Sequence, residues 1–112
     1  MKVRTVTVDG ALIVAVRGRI DGSNAGDFER TVRSVADCHE GPVILDYEHV
    51  DYMSSAGLRA LLMIAKRLFG REAPFAVCTT SEPITDILRI SGFDRVIDAF
   101  ASLEHALAAV RG

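Results

Sequence analysis

The 112-residue sequence contains no tryptophan, two cysteines and three prolines, and only 6% of its residues are aromatic. The cysteines, Cys38 and Cys78, do not have the spacing of a metal-binding motif, so we interpret them as reduced structural thiols. The longest stretch without a charged residue, 73–81, is far shorter than the ~20 apolar residues of a membrane-spanning helix. We therefore expect a cytoplasmic chain that does not insert directly into a membrane.

The sequence also lacks an excess of either charge. Its 13 lysines and arginines stand against 15 aspartates and glutamates, which leaves a net charge of −2 at pH 7. Nucleic-acid-binding domains usually carry a clear positive excess, so we expect no nucleic-acid partner. Hydrophobic residues make up 49% and charged residues 25%, which is typical of a globular protein, and the length suits a single domain over residues 1–112. Composition leaves the oligomeric state open.

Short apolar segments alternate with amphipathic helical segments along the chain. The predicted strands are Met1–Val8, Leu12–Val16, Val43–Leu45, Phe75–Cys78 and Val96–Ile97. The turn dipeptide Asp9-Gly10 makes the first two strands an antiparallel hairpin, whereas helices between the later strands favour parallel crossover units. We predict an α/β fold with a mixed five-stranded sheet, an antiparallel N-terminal hairpin, parallel βαβ units and about four helices.

Ser54 and Ser55 stand side by side before an amphipathic helix. The apolar stripe of that helix is Leu58, Leu61, Leu62, Ala65 and Leu68. A serine at this position ordinarily caps the helix, which is worth about 1 kcal/mol and explains one of the two hydroxyls. The other hydroxyl is expected to face solvent at the positive end of the helix dipole, where a phosphate is well tolerated. An exposed apolar edge is expected from Ala56, Ala60 and Met63.

Polar residues follow two of the predicted strands. Asp21 and Asn24 come after the second strand, and residues 46–57 come after the third. In open α/β sheets, functional loops gather beyond the C-terminal ends of the strands, so we expect these two loops to share one rim. Ser23 or Asn24 is expected to cap the first helix.

No arrangement typical of a catalyst is found in the sequence. Neither serine follows a glycine by two residues, as in a hydrolase elbow, and no glycine-rich phosphate loop is present. The acid pairs Asp46/Glu48 and Glu48/Asp51 are interpreted as solvated loop carboxylates. The three histidines are interpreted as surface residues: His39, His49 and His105. We therefore expect no enzyme activity, no metal and no cofactor.

The serine segment resembles a family signature. Leu45-Asp46, followed by Val50-Asp51-Tyr52-Met53-Ser54-Ser55-Ala56-Gly57-Leu58, is similar to the signature of STAS domains of the anti-sigma-factor antagonist type. Gly18-Arg19-Ile20-Asp21-Gly22-Ser23-Asn24-Ala25 looks like the second marker of that family. Ser102-Leu103-Glu104-His105-Ala106-Leu107 is similar to the start of its closing helix. The resemblance spans almost the whole chain and implies a STAS-type domain.

The resemblance implies a bacterial phosphoprotein that regulates transcription by partner switching. In that family, the serine that matches Ser55 is phosphorylated by a protein that is both anti-sigma factor and serine kinase, and a serine phosphatase resets the cycle. The unmodified antagonist binds the anti-sigma factor and frees the sigma factor. Ser54 is the alternative acceptor, since the best-known members carry Asp at its position. Around Ser55 the predicted partner contacts are Asp21, Gly22, Asn24, Met53, Ser54, Ser55, Ala56 and Gly57.

Two other functions are weighed beside this one. The first is an accessory STAS subunit of a lipid or anion transporter, in which the serine loop docks on a protein without phosphorylation. The second is a nucleotide-binding domain or small enzyme, against which the missing phosphate loop and catalytic triad argue.

Overall fold

The computed structural model describes residues 1–71 and 73–111, without the side chain of Arg111. The strands and α-helices follow in the order β1 Lys2–Val8, β2 Ala11–Ile20, α1 Ala25–Asp37, β3 Val43–Met53, α2 Ser55–Phe69, β4 Phe75–Cys78, α3 Glu82–Ile90, β5 Asp98–Phe100 and α4 Leu103–Arg111. The predicted α/β class, mixed five-stranded sheet and element order are confirmed.

The sheet has the strand order β1-β2-β3-β4-β5. β1 and β2 pair antiparallel across Asp9 and Gly10, whose φ angles are 51° and 83°. Positive φ at both positions belongs to the tight turns whose twist matches that of hairpin strands. The remaining neighbouring strands are parallel. The carboxyl ends of β2 to β5 therefore lie at one edge of the sheet.

The helices cover the two faces of the sheet unequally. One face carries the main core, in which β2 and β3 pack against α1, α2 and α3 through residues that include Val14, Phe28, Leu45, Leu61 and Ile84. The opposite face carries a smaller cluster under α4, which includes Ile13, Ile44 and Ala106. Burying one large apolar side chain contributes about 1.5–3 kcal/mol, so the three-helix face dominates the hydrophobic stabilisation.

β3 is longer than the sequence predicted. The prediction ended it at Leu45 and placed the following residues in a loop, whereas the strand continues to Met53. Beyond Tyr47, the buried positions are Val50 and Met53, spaced by three residues instead of two. The pairing register with β2 shifts at two places, and such irregularities interrupt the alternation of buried and exposed side chains. β2 likewise extends to Ile20.

β5 lies later in the chain than the sequence predicted. Val96 and Ile97 were expected to form it, but the strand spans Asp98–Phe100 and a 3₁₀ turn spans Phe93–Arg95. Ile97 is buried in the main core just before the strand begins. Of this pair, Ile97 is buried and Val96 is 47% exposed. Two apolar residues are too few to distinguish a strand from another partly buried segment, which explains the error.

α2 departs from the expected apolar edge at one position. Ala60 is buried in the main core, whereas Ala56 and Met63 are exposed as predicted. No helix in the described part of the chain is both long enough and apolar enough to span a membrane.

Candidate functional site

The carboxyl ends of β2 and β3 form one surface, the serine rim, which comprises residues 19–24 and 51–57. Ile20 and Met53 are register partners in these adjacent parallel strands. The N–H of Ser54 donates a hydrogen bond to the carbonyl oxygen of Ile20 at 2.9 Å, which fixes the start of α2 to the end of β2. The two polar segments share one rim as predicted, but the second is the end of β3 and the start of α2 instead of the predicted loop.

The two adjacent serines have different environments. Ser54 is the N-cap of α2, and its Oγ accepts a hydrogen bond from the N–H of Gly57 at 3.3 Å. Ser55 is the first helical residue and is exposed, and its hydroxyl has no hydrogen-bond partner among the described residues. The first turn of α2 contains no acidic side chain, so the helix itself does not neutralise the positive end of its dipole.

Gly57 lies where α2 packs tightly against the ends of β2 and β3. A Cβ atom at this position would lie 2.7 Å from Cγ of Met53 and 2.9 Å from the carbonyl oxygen of Ile20. Both separations are shorter than van der Waals contact, and the carbonyl belongs to the ordered end of β2. Only glycine allows the helix to begin at this depth, so Gly57 sets the position of the two serines relative to the sheet.

Met53 also belongs to the interior. It is 2% exposed, and its Sδ accepts a hydrogen bond of 3.7 Å from the hydroxyl of the fully buried Tyr47. Burial raises the pKa of Tyr47 well above its usual value. Two of the predicted contacts, Met53 and Gly57, are buried, so they support the rim from within. The other predicted contacts are exposed or half-buried: Asp21, Gly22, Asn24, Ser54, Ser55 and Ala56.

The loop before α1 is held by its own side chains. The carboxylate of Asp21 accepts hydrogen bonds from the N–H and the hydroxyl of Ser23, at 3.0 and 2.6 Å. These bonds hold the pKa of Asp21 below its usual value. The side chain of Asn24 accepts from the N–H of Asp21 and donates to the carbonyl of Arg19. Asn24 occupies the N-cap position of α1 without a side-chain cap bond, so the predicted cap is replaced by this loop network.

The sequence prediction included Tyr52 in the segment 46–57 of the rim, but it named neither Arg19 nor Tyr52 as a contact residue. They are register partners on β2 and β3, and the guanidinium carbon of Arg19 lies 4.5 Å from the centroid of the Tyr52 ring. Nε of Arg19 also lies 3.8 Å from the carboxylate of Asp21. A cation over an aromatic face is attracted by the ring quadrupole, and Tyr and Arg are enriched at protein interfaces. This pair could only be recognised once both segments were known to be strands.

Three of the other candidate residues, Asp46, Glu48 and His49, line one surface cavity beside Arg4 and Arg17. His39 lies 3.0 Å from the carbonyl oxygen of Gly10, at the opposite end of the sheet from the serine rim. His49 lies beside Glu48 on β3, at 3.8 Å. In the described ranges, no group of three or more His, Cys, Asp or Glu residues is placed to hold a metal ion.

The rim presents a free hydroxyl next to charged and aromatic side chains. A serine nucleophile requires a base within hydrogen-bond reach, and the hydroxyl of Ser55 has no such partner among the described residues. The arrangement therefore suits a group that another protein recognises or modifies.

A family model for the STAS domain matches residues 2–106. The chain belongs to the STAS domain family. The match covers the whole sheet and both halves of the serine rim, so the site lies in the part of the chain that defines this STAS domain.

Known relatives of this STAS domain include anti-sigma factor antagonists. The chain is 33% identical to BtrV of Bordetella bronchiseptica, a protein named as a candidate anti-sigma factor antagonist, over 99% of the chain and 96% of BtrV. It superposes on the crystal structure of an anti-sigma factor antagonist from Mycobacterium paratuberculosis with a TM-score of 0.90 and 28% identity, over 99% of this chain and 94% of that one.

The fold is also shared with a protein of a transporter family. The crystal structure of a sulfate transporter family protein from Wolinella succinogenes matches with a TM-score of 0.78 and 18% identity, over 95% of this chain and 88% of that one. At this identity, the likeness concerns the fold alone.

Proposed function

We propose that this STAS domain is a bacterial anti-sigma-factor antagonist that acts in the cytoplasm and is switched by phosphorylation of Ser55. The observation that carries the proposal is the division of roles between two serines: Ser54 caps α2, and the hydroxyl of Ser55 is exposed and unbonded. The similarity to BtrV over 99% of the chain supports the antagonist role. In the unmodified state the domain binds an anti-sigma factor and frees the sigma factor.

In this scheme the domain is a substrate and a binding partner, not an enzyme. The protein that it binds is both anti-sigma factor and serine kinase, and a serine phosphatase restores the unmodified form. The contact surface is the outer part of the serine rim: Asp21, Gly22, Asn24, Ser54, Ser55 and Ala56. Arg19 and Tyr52 extend this surface along the ends of β2 and β3, because Tyr52 is 44% exposed and Arg19 lies against its ring.

A phosphate on Ser55 is compatible with the fold. It adds about 1.5 to 2 negative charges at pH 7. Ser55 is the first residue of α2, and no acidic side chain lies in the first turn. The helix dipole stabilises an anion at this position by up to ~2 kcal/mol, so the folded domain tolerates the modification.

The same phosphate is unfavourable inside a protein contact. There it must lose its hydration, and an unpaired buried charge costs several kcal/mol. Changing a complex from 99:1 bound to 99:1 free requires about 5.5 kcal/mol. One phosphate under the contact surface is therefore sufficient to release the partner without any refolding of the domain.

The modification can be tested with the anti-sigma-factor kinases encoded in the same genome. Incubation with the cognate kinase and ATP should add one phosphate, which tandem mass spectrometry should map to Ser55. Ser55→Ala should abolish the modification, whereas Ser54→Ala should retain it. Ser34 is exposed on α1, away from the rim, so Ser34→Ala is the matched control. Loss of phosphorylation in Ser54→Ala alone would instead identify Ser54 as the acceptor.

Binding provides the second half of the test. Ser55→Ala should bind the kinase constitutively, and Ser55→Asp should bind it at least about tenfold more weakly, a change of 1.4 kcal/mol. Equal affinities of the two variants would contradict the switch. Docking without phosphate transfer would favour the accessory role in a lipid or anion transporter, and turnover of ATP or GTP by the domain alone would favour an enzyme.

A further inference from the structure

β1 is an edge strand with a free outer side. It lies at the end of the strand order, and β2 is its only strand partner in the described part of the chain. Its seven residues contain no proline, and their pairing with β2 shows no register shift. Such an edge presents N–H and C=O groups in regular order, which is a template for pairing with another strand.

The side chains of β1 restrict what this edge can pair with. Thr5, Val6, Thr7 and Val8 are uncharged and β-branched, which favours strand pairing, and Val6 is 55% exposed. Lys2 and Arg4 are the charged residues of the strand, and both are exposed. Charges on an edge prevent indiscriminate pairing, so a suitable partner strand must not place a cation directly opposite Lys2 or Arg4.

A second copy of the same strand meets this requirement. We infer that two copies of the chain associate by antiparallel pairing of their β1 strands about a two-fold axis at Thr5. In this register, Lys2 faces Val8 of the second copy and Arg4 faces Val6. Each cation then lies opposite a valine, and the two sheets continue into one sheet.

Other two-fold registers place cations opposite each other or pair fewer residues. An axis at Arg4 places this arginine opposite itself, and an axis at Val3 places Lys2 opposite Arg4. Like charges directly opposite each other destabilise a pair of strands. An axis at Val6 avoids this repulsion but leaves Lys2 and Val3 unpaired. The charge pattern and the number of paired residues together therefore select the axis at Thr5.

The dimer is small in area and leaves the serine rims open. A single pair of edge strands buries less surface than a standard stable interface, so association is weak and depends on protein concentration. The two-fold axis reverses the strand direction, so the two serine rims face opposite ends of the dimer. Association is therefore independent of the phosphorylation proposed for Ser55, and each idea can fail without the other.

Charge substitutions on β1 test the pairing. Sedimentation velocity of the wild-type chain from ~10 μM to ~1 mM should show a monomer–dimer equilibrium. Val6→Lys places a cation opposite Arg4 at two symmetric positions and should weaken association at least about tenfold. Adding Arg4→Glu to Val6→Lys makes both pairs attractive and should restore association. Val96→Lys is the matched control, because Val96 is 47% exposed and lies outside β1.

Disulfide cross-linking tests the register. The exposed Cys38 is first replaced by Ser, and the buried Cys78 is kept. In this background, mild oxidation of Thr5→Cys should give a covalent dimer, because the introduced thiols face each other across the axis. Thr7→Cys faces Val3 of the second copy and should remain monomeric on a non-reducing gel.

Three results would overturn the inference. They are a wild-type monomer at all concentrations, unchanged association in Val6→Lys, or cross-linking through Thr7→Cys that equals that through Thr5→Cys. Circular dichroism melts of each variant establish that it is folded, so a failure to associate is not confused with unfolding.

Discussion

The N–H of Ser54 donates a hydrogen bond of 2.9 Å to the carbonyl oxygen of Ile20, and this bond joins the N-cap of α2 to the last residue of β2. The same carbonyl is the atom that a Cβ on Gly57 would approach to 2.9 Å. One acceptor therefore fixes the start of α2 twice, by the hydrogen bond and by steric exclusion. As a result, the position of Ser55 is determined by the sheet and not by a flexible loop.

The two serines should respond differently to truncation. Ser54→Ala removes the cap of α2 and should lower the free energy of unfolding by about 1 kcal/mol. Ser55→Ala removes an exposed hydroxyl without a partner and should change it by less than about 0.5 kcal/mol. Urea unfolding of both variants measures the difference. Equal losses would show that the hydroxyl of Ser55 shares the capping role.

Gly57→Ala should be strongly destabilising. The added methyl group must displace the side chain of Met53 and the end of β2, so we expect a loss of about 2–3 kcal/mol in thermal or urea unfolding. The control is Gly70→Ala at the C-cap of α2, where φ is −73° and the added Cβ meets no atom within 4 Å among the described residues beyond its own helix backbone and chain neighbours. This control should be neutral or stabilising by up to about 1 kcal/mol. Similar losses in both variants would contradict the close approach at Gly57.

The hydrogen bonds from Ser23 should set the titration of Asp21. Ser23→Ala removes the hydroxyl donor, which is the main cause of the lowered pKa, so the pKa of Asp21 should rise toward its usual value of 3.8. Carboxyl-carbon NMR titration measures this change, and an unaltered pKa would contradict the assignment.

The lowered pKa of Asp21 determines how the free energy of unfolding changes with pH. The pKa of Asp21 is lower in the folded chain, so its contribution to stability is present above the unfolded value of 3.8. It is lost as pH falls through the lower folded pKa. The stability difference between wild type and Ser23→Ala should therefore shrink in strong acid.

The two cysteines should differ in reactivity. Cys38 is exposed, whereas Cys78 is buried, and burial raises the pKa of the Cys78 thiol to about 11. The thiolate is the reactive form, so iodoacetamide near neutral pH should label Cys38 and spare Cys78 in the folded chain. Both should react in urea. Labelling of Cys78 without denaturant would show that the sheet opens beneath α4.

The raised pKa of Cys78 also predicts a loss of stability in alkali. The neutral thiol is favoured in the folded state, so its contribution is complete below the unfolded pKa of 9.0 and declines as pH rises toward about 11. Cys78→Ala should show a smaller decline than wild type over this range in urea unfolding. The buried Tyr47, whose pKa is also raised, adds to the decline in both chains and does not remove the difference.

The parts of the fold that could be predicted from the sequence are those encoded by local periodicity. The hairpin at Asp9-Gly10 and the apolar stripe of α2 follow from spacing alone, and Leu61 and Leu68 are buried as expected. The errors concern features set by pairing between distant segments. β3 continues past Leu45 because its irregular register with β2 lets polar residues occupy a strand.

In the serine rim, too, features encoded by neighbouring residues could be predicted, whereas features set by the pairing of β2 and β3 could not. A capping serine beside a free serine could be recognised from two adjacent residues. The burial of Met53 and the contact between Arg19 and Tyr52 depend on how β2 and β3 align, which is not encoded locally. The network of Asp21, Ser23 and Asn24 replaced a predicted cap because short polar side chains have several competing backbone partners.

The assignment of capping to Ser54 has a consequence for how STAS domains with this serine pair diverge. Folding does not depend on the neighbouring hydroxyl, so natural selection can discard Ser55 or replace it without harming the scaffold. Under the switch proposed for Ser55, a descendant of this chain without that serine would persist as a constitutive binder.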